Sequence, residues 1–291
     1  MSEWALASGF RCETFGTVSG HQGGTNVAGN ATANTKGSWV QLDASTAFDA
    51  VALLLNMNCH FSDTRYLVDI GIGASGSEQV IVPNLLVAAS AGITTDIFLP
   101  MNIPAGSRIA VRLQDNFGSS DIWVSGLLFS SGFYSTPAFV GATAYGPNTA
   151  TSGGTSVDPG GTANTKSAWV QIAASTTYTH KGLMVAAIRP TPGTAVTASY
   201  TQLIDVGVGA AGSEQVLVSN YRMMCDTSSG GVATPYTAGS GTLSGFAALQ
   251  PGYLPFIPCD LPAGVRLAIR HQSSSIQATD RTSAYAIYGL N

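Results

Sequence analysis

The sequence repeats itself at the scale of a domain. Leu67-Val-Asp-Ile-Gly-Ile-Gly-Ala-Ser-Gly-Ser-Glu-Gln-Val-Ile-Val82 returns as Leu203-Ile-Asp-Val-Gly-Val-Gly-Ala-Ala-Gly-Ser-Glu-Gln-Val-Leu-Val218. Thr32-Ala-Asn-Thr-Lys36, followed by Trp39-Val-Gln41, returns as Thr162-Ala-Asn-Thr-Lys166, followed by Trp169-Val-Gln171, an offset of 130 residues. The offset is 136 at Asp69 and Asp205, and 158 where Ile103-Pro-Ala-Gly106 returns as Leu261-Pro-Ala-Gly264. Matching words in fixed order with widening spacers describe one framework built twice, the second copy carrying insertions of 6 and 22 residues. A unit this long is a whole domain rather than a solenoid repeat. The chain therefore divides into residues 1–134, a first unit with a short lead-in, and residues 135–291, a second unit with an inserted loop near 225–253.

Periodicity says what each unit is made of. Val40 and Leu42 alternate with Trp39 and Gln41, Val51-Ala-Leu-Leu-Leu55 reads as a strand buried on both sides, and Tyr66, Val68, Ile70 and Ile72 form one apolar face. The opposite face of that last strand carries Gly71 and Gly73, repeated as Gly207 and Gly209, a bare strip that invites close approach by a backbone or by a ring such as Trp39. Pro104-Ala-Gly106 and Pro262-Ala-Gly264 read as type I turns with Pro second and Gly fourth, each leading into an apolar strand. Neither half shows helical periodicity. Seven or eight short strands per copy, separated by Gly, Pro and Asn turns, define an all-β protein of two tandem homologous β-sandwich domains, jelly-roll-like in form.

Composition narrows the functions. Charged residues are 10% of the chain, hydrophobic ones 45%, and the net charge is −4. That balance excludes a disordered chain and offers no basic patch for nucleic acid. The N-terminus lacks the basic start and apolar run of a secretory signal and no stretch is long enough to span a bilayer, so folding in a cytoplasm without a membrane partner is expected. Cys12, Cys59, Cys225 and Cys259 do not coincide between the copies, so they are expected to be free thiols filling apolar space.

No constellation names a reaction. Gly71-x-Gly73-x-x-Gly76 and Gly207-x-Gly209-x-x-Gly212 match the dinucleotide fingerprint as strings, but a strand follows each where the fingerprint needs a helix, so no nucleotide cofactor is expected. Asp69, Glu78, Arg108 and Arg112 recur as Asp205, Glu214, Arg266 and Arg270. Paired carboxylates suit a glycosidase, yet cross-strand ion pairing accounts for both signs of charge, and Asp69, Glu78, Arg108, Asp205, Glu214 and Arg266 are assigned to structural ion pairs. His21, His60, His180 and His271 do not repeat and read as surface or loop residues; no metal site and no catalytic residue is assigned. Trp39 and Trp169 either stack on sugars or pack over the glycine strip. In the inserted loop, Tyr236, Phe246 and Tyr253 are candidate anchors for a partner.

The wording D-[IV]-G-[IV]-G-A-x-G-S-E-Q-V followed by P-A-G-x-R-[IL]-A-[VI]-R, present in both halves, resembles β-sandwich structural proteins of tailed bacteriophages, carried as head decorations, fibres or tail components. The resemblance implies a non-enzymatic virion protein whose partners are other virion proteins or copies of itself. The alternative is a carbohydrate-binding or host receptor-binding adhesin module reading a host-surface glycan. No cofactor is implied by either.

Overall fold

The computed structural model describes residues 10–17, 23–59, 64–89, 94–131, 139–188, 200–225 and 256–291. The expected boundary at 134/135 and the candidate anchors Tyr236, Phe246 and Tyr253 lie outside them. The first unit contributes β1 (Cys12–Phe15), β2 (Thr25–Ala28), β3 (Val40–Asp43), β4 (Ala50–Cys59), β5 (Thr64–Ile72), β6 (Gln79–Ala89), β7 (Thr94–Leu99), β8 (Ile109–Asp115) and β9 (Asp121–Ser130). The second contributes β10 (Ala142–Tyr145), β11 (Thr155–Val157), β12 (Val170–Ala173), β13 (His180–Ile188), β14 (Tyr200–Val208), β15 (Gln215–Cys225), β16 (Phe256–Leu261), β17 (Leu267–Ser273) and β18 (Ser283–Leu290), with a single helical turn, α1 (Ala278–Arg281). Several strands run 9 to 11 residues, longer than the sequence pattern implied.

These strands form two homologous antiparallel β-sandwiches. In the first, the five-stranded sheet β1-β9-β4-β7, with β2 also on β9, faces the four-stranded sheet β3-β8-β5-β6. In the second, β10-β18-β13-β16, with β11 on β18, faces β12-β17-β14-β15. Inward residues alternate as the pleat requires: Val68, Ile70, Val111 and Leu113 bury into one core, Ile204, Val206, Leu267 and Ile269 into the other. The turns predicted at Pro104 are shifted by one. Ser107 N–H donates to the Pro104 carbonyl at 3.2 Å, which places Pro104 first and Gly106 third, at φ +77°. That conformation, not a fourth-position preference, is why glycine stands there.

The sandwiches are not separate beads. Along β13, Leu183, Val185 and Ala187 belong to the second core, while the intervening Met184, Ala186 and Ile188 belong to the cluster of the first sandwich. Along β18, Tyr285 and Ile287 point one way and Ala284, Ala286, Tyr288 and Leu290 the other. The central strands of this sheet are therefore buried on both faces, which explains the apolar runs of β13 and β18. What covers it is the outer face and edge of β6. Leu67 and Leu86, on the outer side of the first sandwich's four-stranded sheet, are fully buried, whereas their counterparts Leu203 and Arg222 are half-buried and exposed. Tyr288 closes the contact: its hydroxyl accepts from Leu86 N–H at 2.7 Å and donates to the Asn84 carbonyl at 2.8 Å, satisfying backbone groups at the sheet edge. Gln114 adds bonds from its side-chain amide to the Thr149 carbonyl and the Ser152 hydroxyl.

Three expectations are corrected by this packing. Strand β4 is fully buried on its inner side, at Leu53, Leu55 and Met57, but only in part on the other, where Ala52 is buried and Leu54 half-buried; among the described residues, burial along both faces belongs to β13 and β18, which the first sandwich covers. Cys12 is exposed, not packed in apolar space, while Cys259 is half-buried against the second core. His180 and His271 are fully buried, and His21 and His60 lie outside the described residues. His271 Nε2–H donates to the Arg281 carbonyl at 2.8 Å and its Nδ1 faces the Tyr285 hydroxyl at 2.9 Å, so a neutral ring is fully satisfied inside the core. His180 meets the Tyr145 hydroxyl at 2.8 Å.

Burial holds the His271 pKa down at about 4, against the opposing pull of the Arg281 carbonyl and Asp158, and burial lowers that of His180 as well. Between the ordinary value of 6.5 and 4 the unfolded chain binds the proton that the folded chain refuses. Stability is therefore complete above pH 6.5 and falls as pH drops toward 4, by about 3 kcal/mol from His271 alone. Chemical denaturation of wild type and His271→Gln across that window is expected to show the slope flattened in the variant. The two-sided sheet makes a second prediction: Tyr288→Phe leaves Leu86 N–H and the Asn84 carbonyl without their partner and lowers stability by about 1–3 kcal/mol, measured by urea titration.

Candidate functional site

The charges that the sequence duplicates assemble into one cluster per sandwich on the outer face of the four-stranded sheet. Asp69 sits mid-strand in β5, directly across from Arg112 of β8, and opposite it β6 carries two residues, Pro83 and Asn84, where the register slips. That two-for-one mismatch is a β-bulge, with Asn84 at φ +50°. The bulge turns the Asn84 N–H toward the carboxylate, and Asp69 Oδ1 accepts it at 2.8 Å. The same oxygen accepts from Lys36 Nζ at 2.8 Å, and Oδ2 accepts from Arg112 Nε at 2.9 Å. Lys36 also donates to the Leu67 carbonyl at 2.9 Å. Asn34, in the left-handed region at φ +58°, shapes the loop that delivers Lys36, and its N–H donates to the Asp115 carbonyl at 2.7 Å.

The second sandwich repeats every bond. Asp205 accepts from Lys166 at 2.6 Å, from Arg270 Nε at 2.8 Å and from Asn220 N–H at 2.8 Å, with Asn220 at φ +55° and Asn164 at φ +57°. Burial pushes the Asp205 carboxyl up, but the bonds from Lys166, Asn220 and Arg270 outweigh it and leave the group below the ordinary carboxylate range.

A second pair stands at the end of the same sheet. Glu78 Oε1 accepts from Arg108 Nη1 at 2.8 Å, and Oε2 accepts from Gly76 N–H at 3.1 Å, bracing the Ala74–Ser77 turn. Arg108 Nε donates to Gln41 at 2.9 Å. Glu214, Arg266, Gly212 and Gln171 reproduce the arrangement with Arg266 Nη1 at 2.7 Å from Glu214. In both glutamates desolvation raises the pKa, and backbone and arginine hydrogen bonds more than reverse it, so both carboxyls lie below their ordinary value.

Trp39 and Trp169 connect the clusters to the bare strip. A methyl group added at Gly71 would lie 2.9 Å from the Trp39 ring, and one at Gly207 would lie 2.7 Å from Trp169. The guanidinium carbons of Arg112 and Arg270 stand 4.6 and 4.5 Å from the respective ring centroids, a cation–π contact. Each indole is half-buried, held between a glycine and an arginine on the outer face of the sheet rather than in the sandwich interior. The residues that sequence reasoning left out are Lys36, Lys166, Asn84 and Asn220. All four repeat between the copies, and that repetition is the signal that marks them.

This arrangement has a definite chemical character. General acid catalysis near neutral pH needs a carboxyl shifted upward, whereas Asp205, Glu78 and Glu214 are shifted down. Asp69 and Asp205 each accept three hydrogen bonds, two of them from cations. The open cleft of about 600 Å³ beside Glu78 is lined by Ile72, Gly73, Ser77, Gln79 and Ser107, and its one charged residue, Arg108, is already committed to Glu78. Among the described residues no three His, Cys, Asp or Glu side chains gather to hold a metal ion. Each turn after Gly73 and Gly209 returns directly to a strand, so the glycine-rich strings lack the helix N-terminus that would receive a pyrophosphate.

No protein-family model matches the sequence, and no curated protein matches it. Solved structures align with it at low similarity. PNGF-II in a C2 crystal is 9% identical, with 86% of this chain and 59% of that chain covered and a TM-score of 0.36. The CBM22-1–CBM22-2 tandem domain from Paenibacillus barcinonensis Xyn10C is 9% identical over 98% of this chain and 90% of that one, TM-score 0.24. A triple jelly roll protein from the turret assembly of an archaeal virus is 11% identical over 91% and 58%, TM-score 0.19. The chain thus spans about six tenths of the length of PNGF-II. At these identities and TM-scores the likenesses carry no argument about function.

If the aspartates fix the bulge, Asp69→Asn and Asp205→Asn each leave a lysine and an arginine facing a neutral amide and lower stability by about 3–5 kcal/mol, in the range of a broken buried pair. Urea titration measures this; an unchanged midpoint in both variants would remove the structural role assigned here.

Proposed function

We propose that the chain is a non-enzymatic structural component of a bacteriophage virion, a capsid decoration, fibre or tail protein, acting through contacts with other virion proteins or copies of itself. The observation that carries the reading is the use of the duplicated charges. In both sandwiches Asp, Glu, Lys and Arg side chains are tied to one another and to backbone groups in matching geometry, which holds the two four-stranded sheets in register. A scaffold with fixed charges and a sheet buried on both faces suits static assembly, where contact rests on shape, apolar area and hydrogen bonds. The phage-like wording of both halves points the same way. On this reading the protein folds in the host cytoplasm and resides on the particle.

The test is to purify particles produced by the phage or prophage that encodes the chain and to quantify it by mass spectrometry. It is expected at a fixed stoichiometry to the major shell or tail protein, and retained after nucleic acid release. Recovery only in the particle-free supernatant would overturn the proposal.

A further inference from the structure

The corner between β17 and β18 differs from its counterpart in the first sandwich both in length and in what lies beneath it. Paired registers set His271 in the place of Leu113 and Ser283 in the place of Ile122, at offsets of 158 and 161 residues, so the second corner is three residues longer and carries α1. Under this corner the first sandwich packs Tyr66, Leu113, Ile122 and Val124, all fully buried. The second packs Gln202, His271, Ser283 and Tyr285, equally buried, each hydrogen-bonded to another of the set or to the end of α1.

The Arg281 carbonyl is the joint of this arrangement. It accepts from His271 Nε2–H at 2.8 Å and from the Gln202 side-chain amide at 2.9 Å, and the Gln202 oxygen accepts from Ser283 Oγ at 2.9 Å. Because a carbonyl only accepts, the His271 proton sits on Nε2, and Nδ1 is left to accept from the Tyr285 hydroxyl. On the outside, the Arg281 guanidinium is held by Asp158, through Nε at 2.7 Å and Nη2 at 3.1 Å, and by the Ile276 carbonyl, through Nη1 at 2.6 Å. The rest of the corner meets water: Ile276 is 55% exposed, Gln277 and Ala278 are exposed, and no side chain caps the start of α1.

A second proton on His271 has no place in the closed corner. It would set Nδ1–H against the Tyr285 hydroxyl and put a charge on a fully buried ring, where Asp158 favours the cation, Lys166 opposes it and burial opposes it most. We propose that the corner is an acid-opened latch: His271 takes up its proton when residues 274–282 lift off the second core and let water reach the ring, while the strands of both sheets stay paired. The corner is the wall that gives, because it is short and exposed, whereas Gln202 and Tyr285 stand on β14 and β18, strands hydrogen-bonded on both sides. Acid acts by drawing the molecule toward the form that binds the proton. This opening is local, separate from the loss of overall stability below pH 6.5, and it does not rest on the virion reading.

Hydrogen exchange by mass spectrometry at pH 7 and pH 5, corrected for the intrinsic pH dependence of amide exchange, tests it. The reporters are Ser274 N–H, which donates to the Thr201 carbonyl, and Arg281 N–H, which donates to the Gln277 carbonyl. With the ring at about 4 in the closed corner and back at 6.5 in the opened one, the opening constant rises about 20-fold between the two pH values. Corrected exchange in residues 274–282 is expected to speed up by that factor, while peptides from β5, β14 and β18 keep their rates. His271→Gln cannot take up the proton, so its corrected exchange is expected to be the same at both pH values; His271→Leu, the first sandwich's residue at that place, replaces it if His271→Gln does not fold. Corrected exchange that is flat in the wild type, that rises as much in the variant, or that rises as much in β14 and β18 as in the corner, overturns the proposal.

Discussion

A β-sheet whose central strands, β13 and β18, are buried on both faces organises this molecule. In β10-β18-β13-β16 the odd and even residues of each central strand serve two different cores, and the second of those cores is completed by another domain. Burying side chains such as Met184, Ile188 and Leu290 contributes about 1.5–3 kcal/mol each, more than an exposed ion pair supplies. Tyr288 adds direction to that otherwise unspecific attraction. Its single hydroxyl meets one backbone donor and one backbone acceptor on β6, so the edge sits at one position on the face and no other. The duplication therefore produced an ordered pair, with one domain contributing an edge and the other a face.

Within each sandwich the organising element is a carboxylate facing a bulge. A bulge frees a backbone N–H from the ladder, and Asp69 and Asp205 receive it while anchoring a lysine and an arginine. One residue thereby sets the register of β5 against both β6 and β8, or of β14 against both β15 and β17. The arginine continues to the indole, and the indole rests on the glycine. The chain keeps these parts together in both copies because removing any one leaves a charge or a ring without its support.

The sequence made the frame legible and the relation between its halves illegible. The repeat of Asp69, Gly71 and Glu78 at one fixed offset announced two copies of one sheet, and alternation in Tyr66, Val68 and Ile70 showed its inner face. The glycine strip and its tryptophan cover were readable because bareness on one face requires a large neighbour. Lys36 stood in a repeated word and Asn84 two residues past the end of another, but nothing local tells that a loop lysine and a bulge amide converge on a carboxylate more than 10 residues away. Histidines that fail to repeat look dispensable in a duplicated sequence. His271 instead occupies the place of Leu113 opposite Tyr285, where Val124 stands in the first unit, a buried polar pair in place of an apolar one. The interface was hidden for a related reason: Ala186 and Ile188 are apolar where Asn56 and Asn58 are polar, and that asymmetry acquires meaning only when the face they share is known.

The central claim is that the two sandwiches form one cooperative body through β6 and the β13–β18 face. Hydrogen exchange followed by mass spectrometry in mild denaturant tests it most directly, because amides that open together exchange together. Peptides spanning β6, β13 and β18 are expected to gain deuterium as one unit, at the slowest rate in the chain. Exchange of β13 and β18 in step with the rest of the second sandwich, while β6 opens separately with the first, would contradict the account.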